Sequence, residues 1–230
     1  ELVPLVDLDG PSAPAAVAAA LQQSGFLLVR SGALSAALQR RALAACQELL
    51  AEEAPSVEAH PSDPKRYRML CRGDLQPLVG AAASTGEAAE GRGALGRAAL
   101  LEYWSALEAL KRQVLRAIAE GLGLEPDFLA GRHAEDNDTL RLLHYPPAPG
   151  SGNRCKEHSD YGTVTLLTTD GTAGLEIWDA DTGVWCPVPL PSGERRQPAE
   201  QLDAGRCAGH APPGSRARLC EQRHPRGRVE

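Results

Sequence analysis

Apolar and polar positions follow two different rhythms along this chain, and the change from one to the other falls near residue 139. Upstream the spacing is mostly helical. Leu100, Tyr103, Trp104, Leu107, Leu110, Val114, Leu115 and Ile118 recur at intervals of three and four, which puts them on one face of a helix, so residues 95–122 are predicted as the strongest helix, stopped by Gly121 and Gly123. Residues 13–23 predict an alanine-rich helix closed by Ser24-Gly25. A third helix is predicted at 35–53, where Leu38, Leu43, Cys46, Leu49 and Leu50 share a face. Apolar runs at 2–8 and 26–29 predict short strands, so the N-terminal part reads strand, helix, strand, helix. Residues 54–93, with Pro55, Pro61, Pro64, Pro77 and a Ser84-Thr85-Gly86 run, predict a long loop holding a short strand at 67–70.

Downstream of 139 the apolar runs shorten to 140–145, 163–168, 175–178 and 184–188, separated by the turn sequences Asp170-Gly171 and Asp181-Thr182-Gly183. Short strands at such spacing predict a sandwich or jelly roll. No internal repeat is visible. From Glu194 onward the only large aliphatic residues are Leu202, Leu219 and Val229, with no Phe, Ile, Met, Trp or Tyr, so composition predicts a disordered tail that cannot offset its ordering entropy by burial.

Composition changes this picture only slightly. With 230 residues, 43% hydrophobic and 23% charged, the chain has the make-up of one soluble globular domain, and no stretch approaches the roughly 20 apolar residues that span a bilayer. The six cysteines are scattered without a C-x-x-C pair, which suits a reducing, cytoplasmic setting and a monomer. The chain opens at Glu1 without a signal-like progression, and its true N-terminus is expected upstream. Net charge is −6; residues 194–230 hold eight arginines against five acidic residues, a net of +3, which leaves −9 on residues 1–193. An acidic body argues against nucleic acid as a partner.

The candidate chemistry sits where the rhythm is strand-like. In Lys156-Glu157-His158-Ser159-Asp160-Tyr161-Gly162 an imidazole and a carboxylate are two residues apart, and on extended backbone such side chains point the same way. They can therefore reach one cation, as in the two-histidine, one-carboxylate iron site. Cys155, three residues before His158, offers a Cys-x-x-His zinc pair, but no second such pair lies near and zinc ranks below iron. Tyr161 and Trp178 suit either a substrate pocket or a sheet interface. Tyr103 and Trp104 are expected in the core. Arg66, Arg68 and Arg72 form a solvated face or, less simply, reach an anionic substrate.

Taken in order, Thr139 to Pro147 (TLRLLHYPP), His158 to Leu167 (HSDYGTVTLL), Gly174 to Trp178 (GLEIW) and Gly183 to Pro189 (GVWCPVP) resemble the isopenicillin N synthase-like class of Fe(II)- and 2-oxoglutarate-dependent dioxygenases. Weaker similarity reaches Pro4 to Leu8 and Gly25 to Gly32, with Arg30-Ser31 where that class usually has Asn-His, so the resemblance covers roughly residues 1–193. It implies a fold that is mainly β with flanking α, a double-stranded β-helix core that is incomplete here. It divides the chain into a helical N-terminal region at 1–130, a partial jelly-roll core at 131–193 and the tail at 194–230. It further implies His158 and Asp160 as two iron ligands, Tyr145 as a hydrogen-bond donor to the 2-oxoglutarate carboxylate, and O2 with a small molecule as substrates. The expected reaction hydroxylates or desaturates that molecule and releases succinate and CO2.

The class also has a third ligand, in a His-Arg-Val segment, and an arginine that anchors the cosubstrate, and neither motif follows Pro189. His210 and His224 are not set in apolar strands, and Arg216, Arg218, Arg226 and Arg228 read as solvated. Back-translation of 203–213 in a shifted frame permits Arg-Trp-Thr followed by Arg-Ser-Thr, so residues from about 194 on are read as an out-of-frame continuation. The competing expectation is a catalytically inactive relative acting as a binding or non-functional isoform.

Overall fold

The structure, a computed structural model, describes residues 2–51, 66–76, 87–133, 138–145, 155, 158, 160, 162–189, 200–203, 208–209 and 217–223. It begins with β1 (Leu5–Asp7), α1 (Ala13–Gln23) and β2 (Phe26–Arg30). Strands β1 and β2 pair in parallel, Val6 opposite Val29, and α1 is the crossover that such a pairing requires. Pro14 occupies the first turn of α1, where its missing N–H costs nothing, and Gly25 leaves the helix at φ 78°.

Next come α2 (Ala36–Ala51), β3 (Arg66–Leu70), the short α3 (Arg72–Leu75) and α4 (Glu87–Gly121). Helix α4 begins eight residues before the predicted start, because Glu87-Ala88-Ala89-Glu90 supplies strong helix formers that outweigh Gly91 and Gly93. Its apolar stripe is the centre of the molecule: Leu100, Leu110, Val114 and Leu115 are fully buried, and Tyr103 and Trp104 are core residues as expected. Each such aliphatic side chain contributes about 1.5–3 kcal/mol of burial.

The remaining strands are β4 (Asp138–His144), β5 (Thr165–Thr169), β6 (Leu175–Asp179), β7 (Val184–Pro187), β8 (Glu200–Asp203), β9 (Ala208–Gly209) and β10 (Ala217–Arg223). They complete a seven-stranded sheet in the order β1-β2-β8-β5-β10-β4-β3 and a three-stranded sheet in the order β7-β6-β9. Alternate residues of the large sheet serve two cores. Leu27, Val29, Leu140, Leu142 and Leu166 pack on the helices, whereas Phe26, Leu28 and Leu167 join Leu175, Ile177 and Val188 between the sheets. Among the described residues helices contribute more residues than strands, so the architecture there is mixed α and β where the resemblance implied mainly β with flanking α.

The disordered tail expected from composition is corrected at three spans. Strands β8, β9 and β10 lie within residues 194–230, with β10 inserted between β4 and β5 through pairs such as Leu219 with Leu142 and Thr168. Pairing draws on backbone N–H and C=O groups, which a chain poor in apolar side chains still possesses. His210, His224, Arg216, Arg226 and Arg228 lie outside the described residues.

Candidate metal centre

Two strands of the large sheet frame the site. Tyr145 directly follows β4, and Asp160 lies five residues before β5, so whatever fixes β4 and β5 fixes the site. Helix α4 does this through three polar ties. Tyr103 Oη and Thr168 Oγ1 are 2.6 Å apart in a buried hydrogen bond to β5. The Lys111 ammonium donates to the Asp138 carboxylate at the start of β4, both side chains being buried. The buried Glu108 accepts from Trp104 Nε1 at 2.9 Å and from Arg72 Nη1 at 2.8 Å, which ties α3 and hence β3 to the same helix. Arg72 is thereby a structural ion-pair partner whose side chain stays 44% exposed.

A further tie reaches the loop that carries the metal-competent pair. His133 Nδ1 lies 2.6 Å from the Leu129 carbonyl, which can only accept, so that nitrogen carries the proton; in the neutral ring Nε2 then accepts from the Thr163 hydroxyl at 3.1 Å. Thr163 is three residues after Asp160. Sequence patterning missed His133, because its partners are a helix-end carbonyl and a hydroxyl thirty residues away that no local motif links.

His158 Nε2 and Asp160 Oδ1 stand 3.5 Å apart, with the Asp160 side chain 5% exposed and that of His158 41%. Two donors each roughly 2.1 Å from one divalent cation lie roughly 3.0–3.6 Å apart for bond angles between 90° and 120°, so the pair fits as two ligands of one ion. Nδ1 of the same ring faces the Cys155 sulfur at 4.0 Å. Cys155 and Asp160 therefore address opposite nitrogens of one imidazole and cannot serve a single ion through it. Among the described residues no group of three or more His, Cys, Asp or Glu side chains could hold a metal. The structure thus brings two of the three expected donors together.

Tyr145 is 1% exposed. His144, half-buried, is paired in register with Arg66 and Ala217 and alternates to the opposite face. Trp178 packs edge-on against Trp185 at 5.3 Å between centroids, across the β6–β7 pair, so it is sheet packing; Tyr161 lies outside the described residues. A small cleft of about 100 Å³ between α4 and the 3-10 turn at Ala130–Arg132 is lined by Glu108, Lys111, Arg112, Leu115, Ala130 and His133 and shares no residue with the metal pair.

Comparison with known proteins places this geometry in context. No family model matches the chain. Over 81 residues it is 42% identical to the 2-oxoglutarate-dependent dioxygenase htyE of Aspergillus rugulosus, and over 95 residues 41% identical to the 2-oxoglutarate-dependent dioxygenase gloF of Glarea lozoyensis. These matches take in 34% and 39% of this chain but only 25% and 29% of the relatives' length. Among solved structures, a Neurospora crassa protein crystallised with alpha-KG and 5-formyluracil superposes with a TM-score of 0.73 over 99% of this chain and 86% of its own, at 19% identity. The dioxygenase for auxin oxidation 1 of Arabidopsis thaliana, a 2-oxoglutarate complex, gives 0.72 over 97% and 93%, at 16% identity. The resemblance read from the sequence agrees with both kinds of comparison, the curated relatives in name and the solved structures in fold.

Proposed function

We propose that the chain is an Fe(II)- and 2-oxoglutarate-dependent dioxygenase built on a double-stranded β-helix, with His158 and Asp160 as two of its iron ligands. The observation that carries this reading is the 3.5 Å separation of His158 Nε2 and Asp160 Oδ1, with the Asp160 side chain 5% exposed. Seven strands against three, sharing one apolar layer, support the β-helix assignment. When bound, Fe(II) with 2-oxoglutarate supplies the oxidising chemistry that converts O2, cosubstrate and a small-molecule C–H compound into succinate, CO2 and an oxidised product. The protein's part is placement. Asp160 gives a carboxylate shielded from solvent, His158 a neutral Nε2, Tyr145 a buried hydroxyl toward the cosubstrate carboxylate, and the inter-sheet cluster a dry wall.

A second reading, an inactive relative, is favoured by one observation: the described residues supply two metal donors and no third. Thermal unfolding separates the two. Mn(II) with 2-oxoglutarate is expected to raise Tm, by mass action on the native state, and Asp160→Ala is expected to abolish the rise. A Tm unchanged by both ligands together would defeat the dioxygenase reading, and a metal-dependent rise without succinate formation would select the inactive relative.

A further inference from the structure

Strand β4 holds one cation that none of the ties above employs. Leu140 and Leu142 are fully buried against the helices, so Arg141 and Leu143 alternate to the face that looks at the three-stranded sheet. Cross-strand register confirms that face. Arg141 is opposite Cys220 of β10, and Cys220 is opposite Leu167 of β5, a member of the inter-sheet cluster. Through Cys220, Arg141 is level with Leu167, two residues along β5 from Thr165, where the Asp160 loop enters, and it stands four residues before Tyr145.

The guanidinium there has an unsatisfied edge. Arg141 Nε is buried and finds no hydrogen-bond partner among the described residues, while Nη2 meets the Met69 sulfur at 3.7 Å, a weak acceptor. Nε and Nη2 are the two donors of one side of the planar fork, spaced to meet both oxygens of a carboxylate. Tyr67 and Met69, opposite Leu143 and Arg141 and hence on the same face, are 39% and 40% exposed. An always-charged fork thus lies beside an apolar wall that solvent reaches.

We propose that Arg141 is the specificity residue of this site, holding the carboxylate of an organic-acid substrate whose apolar body lies on Tyr67 and Met69. The fate of that substrate rests on the dioxygenase reading; its binding does not. The test uses ligand-observed NMR with two matched pairs, 3-phenylpropionate and hexanoate against their primary amides, on the full chain with and without saturating Mn(II) and 2-oxoglutarate. Each acid is expected to bind at least tenfold tighter than its amide. Arg141→Gln should shrink that preference below twofold, with Arg141→Lys restoring part of it. Met69→Glu, at a half-exposed position that tolerates a polar group, should do the same as Arg141→Gln by occupying the fork from within. Equal binding of acid and amide to the parent chain, or a preference that survives both Arg141→Gln and Met69→Glu, would overturn the assignment. The Tm shift with 2-oxoglutarate, read on the same samples, keeps the two ideas apart: an acid preference that follows Arg141 without that shift leaves this proposal standing and removes the dioxygenase.

Discussion

Cys46 shows how much a single residue's surroundings decide. It sits on α2 with no exposed surface, and burial pushes its thiol from an ordinary 9.0 up to about 12, opposed only in part by a backbone hydrogen bond to Leu143. The sign follows from proton counting. Between pH 9 and 12 the native chain holds a proton that the unfolded chain releases, so stability is full below about 9 and falls as pH rises, by about 1.4 kcal/mol per unit. Urea unfolding at pH 8 and pH 10 is expected to show a drop of about that size in the parent chain which Cys46→Ala does not share; parallel pH dependence in the two would refute it. At this scale the sequence was readable where chemistry is local. His158 and Asp160 were found because a two-residue spacing on extended backbone forces proximity, whereas the Lys111–Asp138 pair and the unsatisfied edge of Arg141 depend on which strands meet.

Elements were legible in proportion to their periodicity. Helix α1 falls at the predicted 13–23, and the strands at 67–70, 140–145, 163–168, 175–178 and 184–188 all appear with ends shifted by one or two residues. What periodicity cannot express is how closely two elements approach. Gly121, read only as a stop signal for α4, sits where α4 meets α1: a Cβ there would lie 2.6 Å from the Pro14 carbonyl oxygen and 2.7 Å from Ala18 Cβ. Backbone cannot step aside as a flexible side-chain end can. Gly121→Ala, though it improves helix propensity, is therefore expected to destabilise by about 1–3 kcal/mol through overpacking, lowering Tm by roughly 2–4 °C for each kcal/mol. Gly123→Ala makes the complementary control. It has open space but φ 71°, so its cost is backbone strain and should leave the α1–α4 contact intact. A Gly121→Ala chain as stable as its parent would show that the two helices can separate freely.

For the molecule as a whole, the decisive strand is the one composition hid. Leu219 and Val229 gave no apolar signal strong enough to predict order, yet β10 is hydrogen-bonded on both sides, seven residues to β4 and four to β5, and β8 joins β5 to β2. Without residues 200–230 the large sheet would break into three pieces, β1-β2, β5 and β4-β3, with unpaired edges on each. Unpaired edges are templates for association with other chains. The helical core would survive better, since the cluster built on α2 and α4 draws most of its buried residues from 1–145. A chain ending at residue 199 is therefore expected to keep its helical far-ultraviolet dichroism, to lose the metal-dependent rise in Tm, and to form higher oligomers by light scattering. A monodisperse, Mn(II)-responsive truncated chain would mean that β8 and β10 contribute nothing to the sheet, and would restore the reading of this tail as an appendage with no structural part.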